Sequence, residues 1–438
     1  MTYQEAIEYL YAKTPVFQQV GGAAYKPGLE TTHYLDTHYR HPHHSYRTIH
    51  VGGTNGKGST SHTIAAVLEA AGYRVGLFTS PHLLDFRERI RVNGVMISED
   101  FVCRFVEGAE ELVKEVSPSF FELTTMMALV YFREQKVDFA VIEVGMGGRL
   151  DSTNIIQPIL SIITNISKDH TQYLGDTLAK IAVEKAGIIK PSTPIIIGRA
   201  DEPEVLEVFR ERATQLSAPL TLASEAVPLG AIHSESRGQT FEVTDPTLIT
   251  SEPLYFELGG LVQADNLRTI LSALRVLREQ GIAIPEVAIR KGFSEVTRMT
   301  GLRGRWETLS ERPTLICDTA HNEDGIRYVV RQLVSLDRPL HLIFGMVSDK
   351  DVRGVLSLLP HEAKYYFTAA RVPRALAPEE LRKLAQAYDL HGEVYPSIRE
   401  ALAAAQSAAQ PETDVIFVGG SNFLIADLLA IQSTNNDK

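Results

Sequence analysis

The segment Val51–Thr60, with the sequence VGGTNGKGST, contains the residue types that bind the phosphates of a nucleotide. It lies between a predicted strand and a predicted helix. Glycines let backbone N–H groups turn inward around an anion, and a helix N-terminus favours negative charge. Lys57 would reach the terminal phosphates, and Ser59 could approach them or a metal ion. The strict P-loop pattern has a glycine where this chain has Val51, so we predict a shortened variant rather than an ordinary glycine-rich turn.

Three further polar side chains, Ser80, Glu143 and His170, each follow a predicted strand. In a doubly wound sheet, ligands bind beyond the carboxyl ends of the strands, so these side chains converge with Lys57 if their strands are neighbours. A carboxylate and a hydroxyl beside phosphates suit Mg²⁺. Glu143 interrupts an apolar strand, and pairing with Arg149 is its alternative role. On chemistry alone, His170 is explained as a hydrogen-bonded loop residue, because histidine is an unusual ligand of Mg²⁺.

Other polar residues also stand at predicted ends of elements. Lys185 ends a helix, where the pattern alone favours a lysine that complements the helix dipole. Asp318 and His321 follow a strand and open a helix. Asp318 could accept hydrogen bonds from a ribose, or Asp318 and Asn322 could only cap the helix. His321 could face phosphate or acyl groups. The glycine turn that ends at Ser421 could cradle an anion.

The stretch from His38 to His44 is rich in histidine, as metal-binding tracts are. Its histidines lack a clean ligand spacing. The sequence therefore predicts a polar loop here.

The elements that must position these side chains alternate between strand and helix, which indicates an α/β fold. Short apolar runs such as Val137 to Val144 predict strands that are covered on both faces, as in a mostly parallel sheet. Asn93-Gly94 predicts a tight hairpin, and Ser98 predicts a helix N-cap. A second, smaller alternation begins near Gly301, and we expect the boundary between Ser294 and Gly304.

Length and composition exclude several classes of protein. The 438 residues suffice for two or three domains, and a hydrophobic content of 44% with 22% charged residues excludes wholesale disorder. A net charge of −11 without a basic block argues against binding to nucleic acid or to an anionic membrane surface. Two cysteines, Cys103 and Cys317, suit a reducing compartment. Neither a signal peptide nor a bilayer-spanning run is evident, so a cytoplasmic protein is expected.

The order and spacing of the motifs closely resemble the folylpolyglutamate synthase/dihydrofolate synthase family of the Mur-type ATP-dependent amide ligases. The resemblance extends from about Gly28 to Leu429. The family fold joins a P-loop ATPase domain to a smaller Rossmann-like domain, here expected at residues 1–298 and 299–438. The motifs that carry the resemblance are Gly53–Ser59, Thr79–Leu83, Phe86–Ile90, Glu143–Asp151, Asp169-His170, Glu184–Gly187 and Asp318–Asn322.

The resemblance implies roles for matching residues of this chain. The ATP phosphates would be bound by Gly53, Thr54, Asn55, Gly56, Lys57, Gly58 and Ser59, and Mg²⁺ by Ser80, Glu143 and His170. Lys185 matches a lysine that CO₂ carbamylates in this family, and burial would favour the neutral amine that reacts. Further nucleotide contacts would come from Asn266, Arg305 and Asp318. Arg89, His321 and Ser421 resemble positions near the incoming glutamate, and His321 is expected to be catalytic together with Lys57 and Lys185.

The substrate site of the bifunctional family members has matching residues as well. The residues of this chain that resemble its pterin-binding part are Gly28, Ser119, Phe120, Phe121, Glu122, Leu150, Asp151 and Ser152. Some bifunctional members have an acidic residue two positions before the N-terminal glycine, whereas this chain has Lys26-Pro27-Gly28. This difference weakens the match at the N-terminal part of the pterin site and, to a smaller degree, the expectation of dihydrofolate synthase activity.

The resemblance implies an ATP- and Mg²⁺-dependent ligase that joins L-glutamate to dihydropteroate and to reduced folates through an acyl phosphate. The alternatives are a folylpolyglutamate synthase only, a Mur-type peptidoglycan ligase and, from another class, a P-loop switch protein that binds a nucleotide to regulate a partner. We expect a monomer that binds these small molecules but neither nucleic acid nor membranes.

Overall fold

The computed structural model describes residues 1–14, 28–235, 237–250 and 252–436. The chain divides into two compact units. The first consists of Met1–Glu257 and Gln263–Leu302, and the second of Leu258–Val262 and Arg303–Lys438. The sequence did not predict that the short segment Leu258–Val262 belongs to the second unit.

The first unit is built on an eight-stranded sheet. Its strands are β1 (Arg47–Gly52), β2 (Val75–Phe78), β3 (Ile90–Val92), β4 (Val95–Met96), β5 (Phe139–Glu143), β6 (Leu160–Asn165), β7 (Ile195–Arg199) and β8 (Leu220–Leu222). They lie in the order β4-β3-β2-β5-β1-β6-β7-β8. All neighbours are parallel except the pairs β2/β3 and β3/β4. Every residue of β5 is buried, as expected for a parallel strand that is covered on both faces.

Helices cover this sheet. They are α1 (Tyr3–Lys13), α2 (Glu30–His38), α3 (Lys57–Ala70), α4 (Glu99–Val116), α5 (Phe120–Glu134), α6 (Thr171–Leu174), α7 (Leu178–Ala186), α8 (Pro203–Gln215), α9 (Ala223–Ala226), α10 (Gln263–Glu279), α11 (Glu286–Ser294) and α12 (Val296–Thr300). Short 3₁₀ helices span Pro42–Ser45, Phe86–Arg89 and Ser152–Ile155, and a small antiparallel sheet contains β9 (Leu229–Ser234), β10 (Gln239–Val243) and β11 (Leu254–Phe256).

Several local predictions are confirmed. The hairpin turns at Asn93 and Gly94, which have φ angles of +46° and +71°. Ser98 caps α4 by accepting a hydrogen bond from the N–H of Phe101. The predicted helix after the glycine-rich segment is α3, which begins at Lys57 because Gly56 adopts a left-handed conformation directly before the lysine.

The predicted polar loop from His38 to His44 is wrong in two respects. His38 is the last residue of α2, and the turn Pro42–Ser45 is a 3₁₀ helix. His43 is buried rather than solvated.

The second unit has a six-stranded sheet. Its strands are β12 (Glu307–Glu311), β13 (Thr314–Cys317), β14 (Leu340–Phe344), β15 (Lys364–Phe367), β16 (Gly392–Val394) and β17 (Val415–Gly419), in the order β12-β13-β17-β14-β15-β16. Only β12 is antiparallel to its neighbour. The sequence missed β12 and β16, because these edge strands are not buried and lack an apolar run.

The helices of the second unit are α13 (Glu323–Ser335), α14 (Val352–Leu356), α15 (Pro378–Gln386), α16 (Ile398–Ala408) and α17 (Asn422–Asn436). Within the described ranges, no helix combines the length and the apolar character needed to cross a bilayer.

Candidate nucleotide and metal site

The central strands of the first sheet end side by side. Val51 of β1 pairs with Glu143 of β5, and Phe78 of β2 pairs with Ile142 of the same strand. On its other side, β1 pairs with β6 through Gly52 and Ile163. The loops that follow β2, β5, β1 and β6 therefore leave the same edge of the sheet, where a parallel α/β sheet binds its ligands.

The predicted phosphate loop joins β1 to α3 through backbone conformations that need glycine. Gly53 and Gly56 have φ angles of +136° and +81°. A β-carbon on Gly53 would lie 1.9 Å from the Oγ1 atom of Thr164, and one on Gly56 would lie 2.2 Å from the Oδ1 atom of Asn266. The side chain of Asn266 is thus packed directly against the loop, as its predicted role in nucleotide binding requires.

Three residues of β6 and the loop after it hold the phosphate loop, and the sequence did not assign them this role. The Oδ1 atom of Asn165 accepts a hydrogen bond from the N–H of Asn55 over 2.7 Å. Thr164 donates its hydroxyl proton to the carbonyl of Asn55 over 2.6 Å. The N–H of Ser167 donates to the hydroxyl of Thr54. Their position at the end of a strand of the predicted sheet could have suggested this role, but polar residues are common at such positions.

Two lysines converge on one backbone carbonyl of the loop. The Nζ atom of Lys57 donates hydrogen bonds to the carbonyls of Gly53 and Thr54, over 3.1 Å and 2.9 Å. The Nζ atom of Lys185 donates to the same Gly53 carbonyl over 2.8 Å. The two amines gather hydrogen-bond donors at this carbonyl, where they can stabilise negative charge.

Lys185 lies in the last turn of α7, as the interpretation from the helix dipole requires, but its amine donates to the phosphate loop. Its side chain is buried, with 4% of its surface exposed. Burial, together with repulsion from Lys57, lowers the pKa of Lys185 to about 7, while Asp169 and Asp151 act in the opposite direction. A large fraction of this amine is therefore neutral near physiological pH.

Glu143 and Ser80 meet at the neighbouring strand ends. The carboxylate of Glu143 is 3% exposed, and its Oε2 atom accepts a hydrogen bond from the N–H of Ser80 over 3.1 Å. Arg149, the alternative partner of Glu143, forms an ion pair with Glu184 over 2.9 Å. A buried carboxylate beside a hydroxyl is a donor set that a hard cation would complete.

His170 follows β6 and has a left-handed backbone with a φ angle of +50°. Its N–H donates to the Oδ1 atom of Asp169 over 2.8 Å. About a quarter of its side chain, 26%, is exposed, so the imidazole remains accessible to a ligand.

An aromatic cluster lies beside the predicted metal ligands. The ring of Phe121 fills the space next to Gly145, where a β-carbon would lie 2.5 Å from the ring. Phe120 stacks on Tyr11 with ring centroids 5.5 Å apart. The guanidinium of Arg89 lies 5.2 Å from the centre of the Phe120 ring. Flat rings next to the loop after β5 suit a flat heterocycle.

Polar contacts anchor this cluster. Ser119 and Glu122 form a capping box at the start of α5, and Thr32 donates to the buried Glu122 carboxylate over 3.3 Å. Arg89 donates from its Nε atom to His82 over 2.7 Å. Burial lowers the pKa of Arg89 to about 10 and, with repulsion from Arg89, the pKa of His82 to about 3. No local pattern in the sequence indicates that His82 and Tyr11 lie near Arg89.

The remaining predicted pterin residues occupy the turn after β5. Asp151 is buried, and it accepts hydrogen bonds from the N–H groups of Met146 and Thr153. Burial raises the pKa of its carboxyl group. Leu150 is half-buried and Ser152 is buried.

At the N-terminal end of the predicted pterin residues, Gly28 has a φ angle of +112° and lies close to the carboxylate of Glu30. Lys26 and Pro27, which depart from the family pattern, are outside the described residues.

The second unit has a polar group of its own at the ends of β13 and β17. Asp318 accepts hydrogen bonds from the N–H groups of Trp306 and Ala320, each over 2.7 Å. Burial raises its pKa, and the positive charge of Arg305 opposes that shift. Arg305 also donates to the hydroxyl of Thr319. Asn322 caps this helix, as the alternative predicted for that residue, whereas Asp318 is not its N-cap.

His321 and Ser421 lie at the starts of two helices of this unit. One ring nitrogen of His321, Nδ1, is 2.9 Å from the carbonyl of Thr319, which orients the ring. Ser421 is buried and accepts a hydrogen bond from the N–H of Phe423 over 3.2 Å.

Two family models match the chain. The Mur ligase middle domain matches residues 51–273, and the Mur ligase glutamate ligase domain matches residues 304–422. The dihydrofolate synthase/folylpolyglutamate synthase of Bacillus subtilis is 32% identical over 92% of this chain and 94% of its own length. A Haloferax volcanii protein named "Probable bifunctional folylpolyglutamate synthase/dihydropteroate synthase" is 34% identical over 98% of this chain. The chain spans about half of that archaeal protein, 50%.

Solved structures agree with these matches. Escherichia coli FolC in complex with DHPP and ADP superposes with a TM-score of 0.83 at 28% identity, over 100% of this chain and 99% of that chain. A bifunctional folylpolyglutamate synthase/dihydrofolate synthase with Mn, AMPPNP and L-glutamate bound gives a TM-score of 0.82 at 29% identity, over 99% and 98%. The chain therefore belongs to the folylpolyglutamate synthase/dihydrofolate synthase family of the Mur ligases.

Proposed function

We propose that the chain is an ATP-dependent, ADP-forming ligase that adds L-glutamate to dihydropteroate and to folates. The observation that carries the proposal is the convergence of Lys57 and Lys185 on the Gly53 carbonyl, beside the Ser80–Glu143 pair. The substrates follow from the names of the relatives, which are dihydrofolate and folylpolyglutamate synthases, and from the glutamate, ADP and DHPP in related structures.

The phosphate loop would hold the nucleotide. The residues from Gly53 to Ser59 present a helix N-terminus and glycine-lined N–H groups to the phosphates. The amine of Lys57, which lies over two loop carbonyls, would turn to the terminal phosphate and neutralise charge as the phosphoryl group moves. Asn266, packed on Gly56, would add a polar contact from the first unit.

Ser80, Glu143 and His170 would hold a magnesium ion. A buried carboxylate and a hydroxyl are the hard oxygen ligands that Mg²⁺ prefers, and an imidazole is also compatible with Mn²⁺. The ion would supply Lewis-acid neutralisation of the phosphate oxygens. Glu143 is held for this task by its hydrogen bond from Ser80.

Lys185 would act as a carbamate. Its neutral amine would attack the carbon of CO₂, form an N–C bond and release one proton, so that a buried neutral amine becomes a buried carbamate anion. The pKa of about 7 makes the reacting form available, and the proximity of Lys57 would stabilise the product. A carbamate at this position could support a second metal ion.

The reaction has two steps. The substrate carboxylate attacks the γ-phosphorus of ATP, ADP leaves, and an acyl phosphate forms. The amine of L-glutamate then attacks the acyl carbon, loses a proton, and phosphate leaves from the tetrahedral intermediate. Negative charge develops on oxygen in each step, and Lys57 is placed to stabilise it.

The other predicted residues keep roles within this proposal. Arg305 and Asp318 would contact the nucleotide, and His321, Ser421 and Arg89 would lie near the incoming glutamate. The pterin would be received by the aromatic residues Phe120 and Phe121 together with Gly28, Ser119, Glu122, Leu150, Asp151 and Ser152. We assign the ATPase role to residues 1–298 and the glutamate ligase role to residues 299–438.

One assay separates this function from its alternatives. Phosphate release from ATP is measured with L-glutamate plus dihydropteroate, with L-glutamate plus a tetrahydrofolate, and with neither pterin. We expect release with both pterins and none without. Release only with the tetrahydrofolate would establish a folylpolyglutamate synthase alone, in keeping with Lys26-Pro27. Phosphate release that does not depend on either pterin would exclude a folate ligase and favour a nucleotide switch or another Mur ligase.

The proposal also implies which partners the protein binds and in which compartment it acts. The partners are small molecules, dihydropteroate, reduced folates and L-glutamate, and the protein would act as a monomer without nucleic acid or membranes. A cytoplasmic location fits a consumer of ATP with two unpaired cysteines, Cys103 and Cys317.

A further inference from the structure

A cluster of metal-ligating side chains lies outside the site described above. Asp36, His41 and His43 each place one ligand atom within 4.8 Å of the others. Asp36 comes from the last part of α2, and the two histidines come from the turn that leads into β1. The cluster therefore joins the end of α2 to the turn that follows it.

The cluster has a buried side and an exposed side. Asp36 and His43 are 4% and 5% exposed, whereas 46% of the His41 side chain is exposed. Among the described residues, the Oδ1 atom of Asp36 is a buried oxygen that receives no hydrogen bond. The Nε2 atom of His43 lies 3.3 Å from that oxygen. A buried carboxylate oxygen that lacks a donor costs free energy unless a cation or a proton donor completes its shell.

The separation between Asp36 and His43 fits a tetrahedral transition ion. Zn²⁺ binds histidine nitrogen and carboxylate oxygen at about 2.0 to 2.2 Å, which places neighbouring ligand atoms about 3.4 Å apart at tetrahedral angles. The 3.3 Å between His43 and Asp36 matches this separation. His41 lies closer, with Nδ1 2.6 Å from Oδ2 of Asp36, and because its ring is largely exposed it can move outward to make room.

The backbone also holds the cluster together. The carbonyl of Asp36 accepts a hydrogen bond from the N–H of His41 over 2.8 Å. His41 keeps a left-handed φ angle of +50°, which a non-glycine residue adopts at a cost. This conformation directs the chain back so that His41 and His43 both reach one carboxylate.

We propose that Asp36, His41 and His43 form a binding site for a divalent first-row transition ion of the Zn²⁺ class. Two imidazoles and one carboxylate are a recurrent three-ligand set for such ions, and water would take the remaining position on the exposed side. The ion would tie the end of α2 to the turn Pro42–Ser45, directly before the strand that leads into the phosphate loop. This site is separate from the proposed site for Mg²⁺.

The test is metal binding by the full-length protein. After treatment with a chelator, the protein is titrated with Zn²⁺ in excess Mg²⁺, and the Co²⁺ form is examined for the visible absorption of a tetrahedral site. We expect one equivalent of Zn²⁺ per chain and a higher melting temperature with the ion. Loss of an outer-shell partner weakens metal binding about 10- to 100-fold. Asp36→Asn and His43→Gln each remove a direct ligand and should therefore weaken Zn²⁺ binding by more than this.

Matched controls keep the test decisive. His33→Gln changes an exposed histidine on the same helix and should bind Zn²⁺ as the wild type does. Glu143→Gln should also leave this binding intact, because it alters only the proposed magnesium site. If His43→Gln does not fold, His41→Gln removes an exposed ligand instead. Zn²⁺ affinity that is the same in the wild type and in the ligand variants would overturn the proposal and leave Asp36 as a hydrogen-bonded tether of the two rings.

Discussion

Asn266 occupies the space that a side chain on Gly56 would need. Its Oδ1 atom lies 2.2 Å from the position of a β-carbon on that glycine. The amide group is 5% exposed and is itself held by a hydrogen bond from its Nδ2 atom to Gln263 over 2.8 Å. The helix that begins at Gln263 therefore fixes the conformation of the phosphate loop from the outside.

Gly56→Ala should abolish ATP binding while the rest of the first unit stays folded. The added methyl group meets a buried amide and the φ angle of +81° disfavours alanine, so the loop must change shape. Nucleotide affinity, measured by calorimetry, should fall at least about 100-fold, consistent with the loss of several oriented N–H donors.

Gly72→Ala is the matched control. Gly72 also has a positive φ angle, +95°, but a β-carbon there meets nothing within 4 Å. We expect a modest loss of stability with normal ATP affinity. Equal loss of affinity in both variants would mean that the contact with Asn266 has no special importance.

Lys57→Ala should remove turnover and leave the fold intact. The amine donates hydrogen bonds to the carbonyls of Gly53 and Thr54, which belong to the loop itself, so the surrounding sheet and helices should keep their packing. Loss of one group that stabilises the developing charge costs about 10²- to 10³-fold in turnover. Phosphate release and circular dichroism measure the two effects. Lys180→Ala, which changes an exposed lysine paired with Asp176, should retain full activity.

Much of the first unit could be predicted from local sequence. The strand, the glycines and Lys57 are contiguous, and periodic apolar positions give the helices that flank them. Glu143 could be singled out because a charge at the end of an apolar strand needs a partner. These features depend on neighbours in the chain, so the sequence alone reveals them.

The parts that depend on distant contacts could not be predicted in the same way. Nothing in the local pattern places Tyr11 on Phe120, or His82 on Arg89. The Asp36 cluster was missed because one ligand comes from a helix and two from the following turn, so no repeated spacing exists. The burial of Lys185 depends on tertiary packing, and only the family resemblance pointed to its role.

Glu143→Gln should raise the Mg²⁺ concentration needed for activity. The amide keeps the size of the side chain and can still accept the hydrogen bond from the Ser80 N–H, but it loses the buried negative charge. We expect the apparent Mg²⁺ affinity to fall at least about tenfold, because a hard cation depends on carboxylate ligands. Phosphate release at increasing Mg²⁺ measures this shift. Glu184→Gln, which alters the neighbouring pair with Arg149, serves as the control, and an unchanged requirement in Glu143→Gln would exclude Glu143 as a ligand.

The dependence of activity on CO₂ should rise as the pH passes through about 7. Burial lowers the pKa of Lys185 from its ordinary 10.5 to about 7, so the amine is mostly protonated below this value and mostly neutral above it. Only the neutral amine forms a carbamate. Enzyme depleted of CO₂ should therefore lose activity that bicarbonate restores at about pH 8. ¹³C NMR with labelled bicarbonate should detect the carbamate in the wild type.

Lys185→Arg separates the carbamate from a merely structural lysine. Arginine keeps a cation near the Gly53 carbonyl but forms no carbamate, so turnover should fall at least about 100-fold and bicarbonate should not restore it. Lys180→Arg should behave as the wild type. Activity in Lys185→Arg that matches the wild type would exclude the carbamate.

The same lowered pKa predicts how stability depends on pH. Between about pH 7 and 10.5 the unfolded chain keeps a proton on Lys185 that the folded chain has released. Stability must rise with pH across this window, and the cost of burying the charged amine is fully present below it. Lys185→Met removes the amine, so its stability relative to the wild type should be highest near pH 6.5 to 7 and should decline as the pH approaches about 9. Urea unfolding of both proteins at these values measures the difference, and a pH-independent difference would show that the Lys185 amine is protonated equally in the folded and unfolded chains.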